Sequence, residues 1–349
     1  MPQDKELTFK RLNELWYLND FPALEIEGNK YIIFSDLHLG NGEKADDFLG
    51  NEQILLSALK YYRGAGYKLI LLGDIEELWQ FALPEIKARY EATIYQAIRD
   101  FGDNNTNRIF GNHDCDWCIQ PDPIKSAPYR PVQPTEAMKL KDRDGRARIL
   151  LVHGHQGSLE SDKNSWSSRF WVRAFRLVEP LAKKFGLTRH PPAIKCEIVK
   201  DYEQIMYSWA KSAKALLICG HSHNAIFASV SYADRLREKI SALEANIRNN
   251  PSEKELIKRA KEQISELSKK VDRESKNKRD IIPTETGASP LPIYFNTGCG
   301  LYEDGITGIE IFNGNIRLAK WHRDPILGPR YEIYQEGSLN DFLRQISRE

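Results

Sequence analysis

An α/β fold is predicted by three features of the sequence. Short apolar runs of strand type alternate with helix-like stretches from Lys30 onward, the pattern of sheets layered with helices. Four runs, Tyr31–Phe34, Leu69–Leu72, Ile149–Val152 and Ala215–Cys219, end directly in short polar clusters, and the brief Arg108–Phe110 precedes a fifth. Near the C-terminus, Asn313-Gly314 separates two alternating apolar segments, a strong short-range hairpin signal.

Taken in order, residues 1–29 read as a leader with one short helix around Leu7–Leu18. The first part of the core spans 30–157, with helix-like stretches at Ala45–Gly64 and Glu85–Phe101. Beyond it, Trp166, Phe170, Ala174, Leu177, Val178 and Leu181 recur at helical spacing. Gly186 and Pro191-Pro192 break that run, and a second helix covers about Ile194–Lys214. Residues 158–214 are therefore expected as a helical cap, and 215–233 as the second part of the core.

An insertion at 234–280 is rich in charge and poor in glycine. Leu236, Ile240, Leu243 and Ile247 form one apolar stripe; Leu256, Ala260, Ile264, Leu267 and Val271 form another. With Asn249-Asn250-Pro251 between them, a helical hairpin with a narrow coiled-coil-like seam is expected. The core resumes over 281–323 with Leu291–Thr297 and the hairpin Ile306–Phe312/Ile316–His322. A tail, 324–349, ends in a short helix through Ile346 capped by Ser338.

Bulk properties narrow the function classes. The 349 residues are 41% hydrophobic, enough for a buried core. Fifty basic and 49 acidic residues give a net charge of +1, which favours neither binding nor avoiding nucleic acid. Five irregularly spaced cysteines do not make a secreted disulfide framework. Residues 1–21 carry no apolar signal region, and no apolar run approaches the ~18 residues of a membrane span. A soluble, cytoplasmic protein without a transmembrane segment is the expectation.

The clusters carry the chemistry. They are Ser35-Asp36-Leu37-His38, Gly73-Asp74, Gly111-Asn112-His113-Asp114, Val152-His153-Gly154-His155 and Gly220-His221-Ser222-His223, and they hold six of the eight histidines. Strand ends of this kind deliver side chains to one sheet edge, and five together would make a metal site. Carboxylate oxygen and imidazole nitrogen suit manganese, iron, zinc, nickel or cobalt, whereas calcium or magnesium would favour oxygen alone. No cysteine lies in the clusters, against a thiolate zinc site. Asp36 and His38 can reach one site only if the backbone turns there, which Gly40 and Gly42 would permit. His221 and His223 could be split between two neighbouring ions.

The ordered set Asp-x-His, Gly-Asp, Gly-Asn-His-Asp, His-Gly and Gly-His-x-His resembles the calcineurin-like metallophosphoesterase superfamily, from about residue 30 to 323 without the charged hairpin. The resemblance implies a four-layer α/β/β/α sandwich and two divalent ions, with manganese placed first. It implies that one ion takes Asp36, His38, Asp74 and His223. The other takes Asp74, Asn112, His153 and His221, with Asp74 bridging. His113 resembles the family's catalytic histidine, beside the metals without binding them. Glu77 is preferred as its orienting carboxylate, because the related phosphatases it resembles place an acid at this offset from Asp74, with Asp114 as the alternative; a solvated helix start is the competing reading for Glu76 and Glu77. His155 is read as a group behind the ligands or at the surface, and His190 and His322 as structural. Cys115 and Cys118 are read as small, reduced and partly buried.

The segment Gly73-Asp74-Ile75-Glu76-Glu77-Leu78-Trp79 is similar to UDP-2,3-diacylglucosamine hydrolases, which also insert a helical lid at this place but carry arginine where this chain has His113. In the cap, Arg169, Arg173 and Arg176 share a helical face beside Trp166, Phe170, Trp171 and Phe175, a surface suited to a bulky phosphorylated substrate. The expectation is hydrolysis of a phosphodiester or pyrophosphate bond in a phosphorylated small-molecule, nucleotide-linked or lipid-linked substrate. The alternatives are a phosphomonoesterase, including a protein serine/threonine phosphatase, a nuclease, or a non-catalytic scaffold. The hairpin holds 14 basic and 10 acidic residues, too mixed for a nucleic-acid footprint, and is read as a self-association or protein-contact arm.

Overall fold

The computed structural model describes residues 4–18, 21–115, 134–157, 192–251, 253–275, 290–302 and 305–348. Among them, two sheets form the centre of the molecule. The first contains β2 (Lys30–Phe34), β3 (Lys68–Leu72), β4 (Thr106–Ile109), β11 (Gly305–Phe312), β12 (Asn315–Asp324) and β13 (Gly328–Ser338), in the order β13-β12-β11-β2-β3-β4. The second contains β1 (Ala23–Glu25), β5 (Ala137–Lys141), β6 (Ala147–Val152), β7 (Leu216–Cys219), β8 (Ala225–Phe227), β9 (Val230–Ser231) and β10 (Tyr294–Thr297), ordered β1-β5-β6-β7-β10-β8-β9. Strands β2, β3 and β4 run parallel, as do β6 and β7.

Both faces of the central strands are buried, which is why they read as continuous apolar runs. Tyr31, Ile33, Ile70 and Leu72 join a core shared with Leu150, Val152, Ile218 and Phe295 of the other sheet. Ile32, Phe34, Leu69 and Leu71 face the opposite way, onto helices α2 (Glu52–Gly64), α3 (Leu83–Tyr90) and α4 (Ile94–Arg99). On the outer side of the second sheet lie α1 (Lys5–Tyr17) and α5 (Pro192–Ala213), joined by the edge-to-face pair Trp16–Trp209 at 6.3 Å. The expected α/β sandwich, helices outside two facing sheets, is the observed architecture.

Several elements differ from the sequence reading. Helix α2 begins at Glu52 rather than Ala45, because the Asp46 side chain accepts the N–H groups of Gly42 and Phe48 and holds a turn there. Glu85–Phe101 is two short helices separated at Glu91–Thr93. The leader supplies α1 and β1, which pairs with β5, and the tail supplies the edge strand β13. Residues 201–213 of α5, expected in the cap, bury Tyr202, Met206, Trp209 and Ala210 in the core. The segment expected as the first cap helix, with Arg169, Arg173 and Arg176, lies outside the described residues, as do His190 and Cys118. The charged insertion forms α6 (Tyr232–Asn249) and α7 (Lys254–Ser275), and Ser338 accepts the Asp341 N–H to open α8 (Leu339–Arg348).

Candidate metal centre

Each polar cluster leaves the C-terminal end of a parallel strand, so the two sheets present all five at one edge. The turns are made by the candidate ligand residues themselves, not by Gly40 or Gly42 as expected. Asp36, His38, Asp74, His221 and His223 all adopt φ between 49° and 67°, the left-handed region that side-chain-bearing residues avoid. Such strain costs about 1–3 kcal/mol per residue and persists where the surroundings over-determine the backbone. Those surroundings are visible: Asp36 N donates to Gly73 O at 3.0 Å, His38 N to Asp74 O at 3.0 Å, and Gly220 N to His153 O at 2.9 Å. Two glycines make room. A Cβ on Gly73 would lie 2.5 Å from the His153 ring, and one on Gly111 would lie 2.1 Å from Asp74 Oδ1.

Among the described residues three trios of potential ligands result: His38, Glu77 and His113 form one, and two others hold residues expected to bind metal. In the first of these two, His223 Nε2 lies 3.2 Å from Asp36 Oδ1 and 3.2 Å from His38 Nε2. In the second, His153 Nε2 lies 3.0 Å from Asp74 Oδ2, and His221 completes the group within 4.8 Å. The two histidines of Gly-His-Ser-His are thus divided between the trios. Asp74 faces both: Oδ2 is also 3.9 Å from His38 Nε2, while Oδ1 accepts the His113 backbone N–H at 2.8 Å.

Hydrogen-bond chemistry tests whether cations fit here. His153 Nδ1 lies 2.9 Å from the Leu72 carbonyl, which can only accept, so in the neutral ring Nε2 carries a lone pair. By the same logic His38 donates from Nδ1 to Glu77 Oε2 at 2.8 Å and bares Nε2. Asn112 Oδ1 is buried without a hydrogen-bond partner among the described residues. With both rings neutral, lone pairs converge on one another and on carboxylates, an arrangement that divalent cations satisfy.

The electrostatics agree. Burial acts to raise the Asp36 carboxyl, but the charges of His153 and His223 hold it well below the ordinary carboxylate range. Asp74 is held down likewise by His153, His113 and His38. Burial opposes protonation of His38 and His153, yet Glu77, Asp74 and Asp36 push the first to about 9, while Asp74 and Asp36 push the second to about 10. His221 moves down to about 3 through burial and the charge of His153. Protons thus collect on two imidazoles lying within 3.9 Å of carboxylate oxygens.

In the remaining trio, His113 Nδ1 lies 2.8 Å from Glu77, whose carboxylate accepts from both His38 and His113. Burial would raise Glu77, but the charge and hydrogen bond of His113 and the hydrogen bond of His38 bring it to about 2. Asp114, the alternative partner for His113, is turned elsewhere. It accepts from Gly111 N at 2.6 Å, Ile75 N at 2.9 Å and Arg108 Nη2 at 2.7 Å, bracing the loops of Asp74 and Asn112. No solvated helix begins at Glu76 and Glu77: both are buried, and Glu76 pairs with Arg108. His155 is buried rather than at the surface, and Cys115 is half-buried.

Three contributors were not assigned roles from the sequence. Arg108 is a charge within a strand, a visible signal of a buried partner. Trp79 stacks on His113 with ring centroids 4.0 Å apart. Glu203 of α5 accepts from Ser222 Oγ at 2.9 Å and Asn224 Nδ2 at 3.1 Å, steadying the loop of His221 and His223; an acid in mid-helix gives no such warning.

Residues 30–225, more than half of the chain, match the family model for the calcineurin-like phosphoesterase. The chain belongs to that family. As a calcineurin-like phosphoesterase it is a metal-dependent phosphoester hydrolase, and its clustered Asp and His side chains are candidates to hold the divalent metal. No curated protein shows a significant match to this phosphoesterase. Among the described residues, no helix is long and apolar enough to cross a membrane.

Proposed function

We propose that this phosphoesterase hydrolyses a phosphodiester or pyrophosphate bond in a nucleotide-linked or lipid-linked substrate at a pair of divalent ions. Asp36, His38, Asp74 and His223 would hold one ion, and Asp74, Asn112, His153 and His221 the other. The observation that supports this is the meeting of these two groups at Asp74 Oδ2, 3.0 Å from His153 Nε2 and 3.9 Å from His38 Nε2. Manganese is the expected native ion, and iron, zinc, nickel and cobalt suit the same donors. When bound, such a pair supplies Lewis-acid activation of water and neutralises charge on the phosphate.

The protein supplies position and a proton. The His113 N–H on Asp74 Oδ1 leaves Oδ2 directed between the trios. Glu77 holds His113 through Nδ1 and leaves Nε2 to protonate the departing oxygen, a contribution of about 10²–10⁴-fold. The lean to nucleotide-linked lipids rests on the Gly73–Trp79 segment. Phosphomonoester hydrolysis is the second reading, favoured by His113 where the UDP-2,3-diacylglucosamine hydrolases carry arginine. A cytoplasmic setting belongs to the same proposal, since the buried, unbridged Cys219 suits a reducing compartment.

Turnover of aryl phosphate monoesters, aryl diesters, a UDP-sugar lipid and single-stranded DNA, each with added manganese, tests the proposal. Diester or pyrophosphate cleavage should dominate; a strong monoester preference would overturn the substrate reading, and cleavage of DNA alone would replace it with a nuclease. His113→Ala should lower turnover about 10²–10⁴-fold while retaining both ions. Loss of both ions in that variant would remove His113 from the acid role.

A further inference from the structure

Trp79 lies five residues beyond Asp74, in a turn closed by Phe81 N donating to Glu77 O at 3.0 Å. Leu78 and Phe81 are buried beneath this turn, and Trp79 is left half-exposed beside the site. Its indole lies flat on the His113 imidazole, with centroids 4.0 Å apart and planes inclined by 18°. Its Nε1–H donates to the Asn112 carbonyl at 2.9 Å. His113 is thus bounded on three sides: Glu77 at Nδ1, the His38 ring edge-on at 4.7 Å, and Trp79 across one face.

From this we infer that Trp79 is a positioning residue for the reaction, acting through His113; the inference rests on the acid role proposed for that histidine. A single hydrogen bond at Nδ1 leaves an imidazole free to swing about the bond. The indole removes that freedom by covering the face. The Nε1–H bond fixes the same peptide unit from the other end. Asn112 and His113 are joined by this peptide, and the His113 N–H anchors Asp74. One side chain therefore sets both the plane of the acid and the backbone that presents it.

A double-mutant cycle between Trp79→Leu and His113→Ala tests the inference, with metal content and circular dichroism measured on each variant. Trp79→Leu should lower kcat at least tenfold on a poor leaving group, leave KM within about twofold, and cause no further loss in the His113→Ala background. Trp79→Phe, which keeps an aromatic face but lacks the Nε1–H, should recover only part of that loss. On 4-nitrophenyl esters, whose leaving group needs no proton, both single losses should shrink together. Equal losses in both backgrounds, or a raised KM with kcat retained, would overturn the inference and make Trp79 a scaffold or a substrate contact. Should Trp79→Leu fail to fold, the same cycle with Trp79→Phe reads the coupling through the lost Nε1–H bond, and additivity there would overturn it equally. A wild-type chain without phosphoester turnover would defeat the functional proposal itself; turnover without coupling defeats only the role of Trp79.

Discussion

At Arg108 a guanidinium with 1% exposure lies between two buried carboxylates, Glu76 and Asp114. Tyr95 O–H donates to the same Glu76 at 3.0 Å. Burial pushes the Asp114 carboxyl up against the opposing pull of Arg108. Deleting the cation would leave two carboxylates without compensation in the interior, a loss of about 3–5 kcal/mol. Arg108→Ala should show that loss in urea unfolding with chelator present, so that metal release does not contribute; a change below about 1 kcal/mol would contradict the argument. The cluster was not legible because spacing along β4 shows a charge but not its partners. Glu77 was legible as a partner of His113 only through the family resemblance, which implies an acid at this offset from Asp74. Its second bond, to His38, depends on loops 39 residues apart meeting in space.

Among elements, the hairpin β11–β12 joins Phe312 to Asn315 through Asn313 and Gly314, at φ 48° and 74°. Positive φ at both positions is what a two-residue turn between twisted strands requires. A Cβ on Gly314 would also lie 2.7 Å from Asn340 Nδ2. Gly314→Ala should therefore lower stability by about 1–2 kcal/mol, read by denaturant unfolding, with metal content and turnover unchanged. An altered metal content would mean that this edge is coupled to the site. This hairpin and the strands ending in polar clusters were readable because turn chemistry and apolar runs are local. Strand β13 was not, since it lies at a sheet edge with half-exposed residues and shows no sustained apolar pattern. The seam of α6 and α7 was readable from helical spacing: Leu256, Ile264, Leu267 and Val271 are half-buried and Ala260 is buried, whereas Lys254, Lys258 and Lys261 are exposed.

For the molecule as a whole, two sheets folded from distant stretches concentrate acids and imidazoles at one edge, and pH exposes the consequence. His38 and His153 are raised to about 9 and about 10 in the metal-free protein. A raised histidine contributes stability that is fully present below its ordinary value of ~6.5 and is lost as pH rises through the folded value. Asp36, Asp74 and Glu77 are lowered, so their contribution is present above the ordinary carboxylate range and lost in acid. Metal binding at these side chains, as proposed, would displace the histidine protons and replace their charge. The melting temperature with manganese, minus that with chelator, should therefore widen between pH 6 and pH 9; a constant or narrowing difference would contradict this. The most direct test of the shared centre is elemental analysis of manganese-loaded wild type beside Asp74→Asn. About two ions per chain in the wild type, falling to one or none in the variant, is the predicted result. An active wild type holding a single ion, or a variant that keeps two, would contradict it.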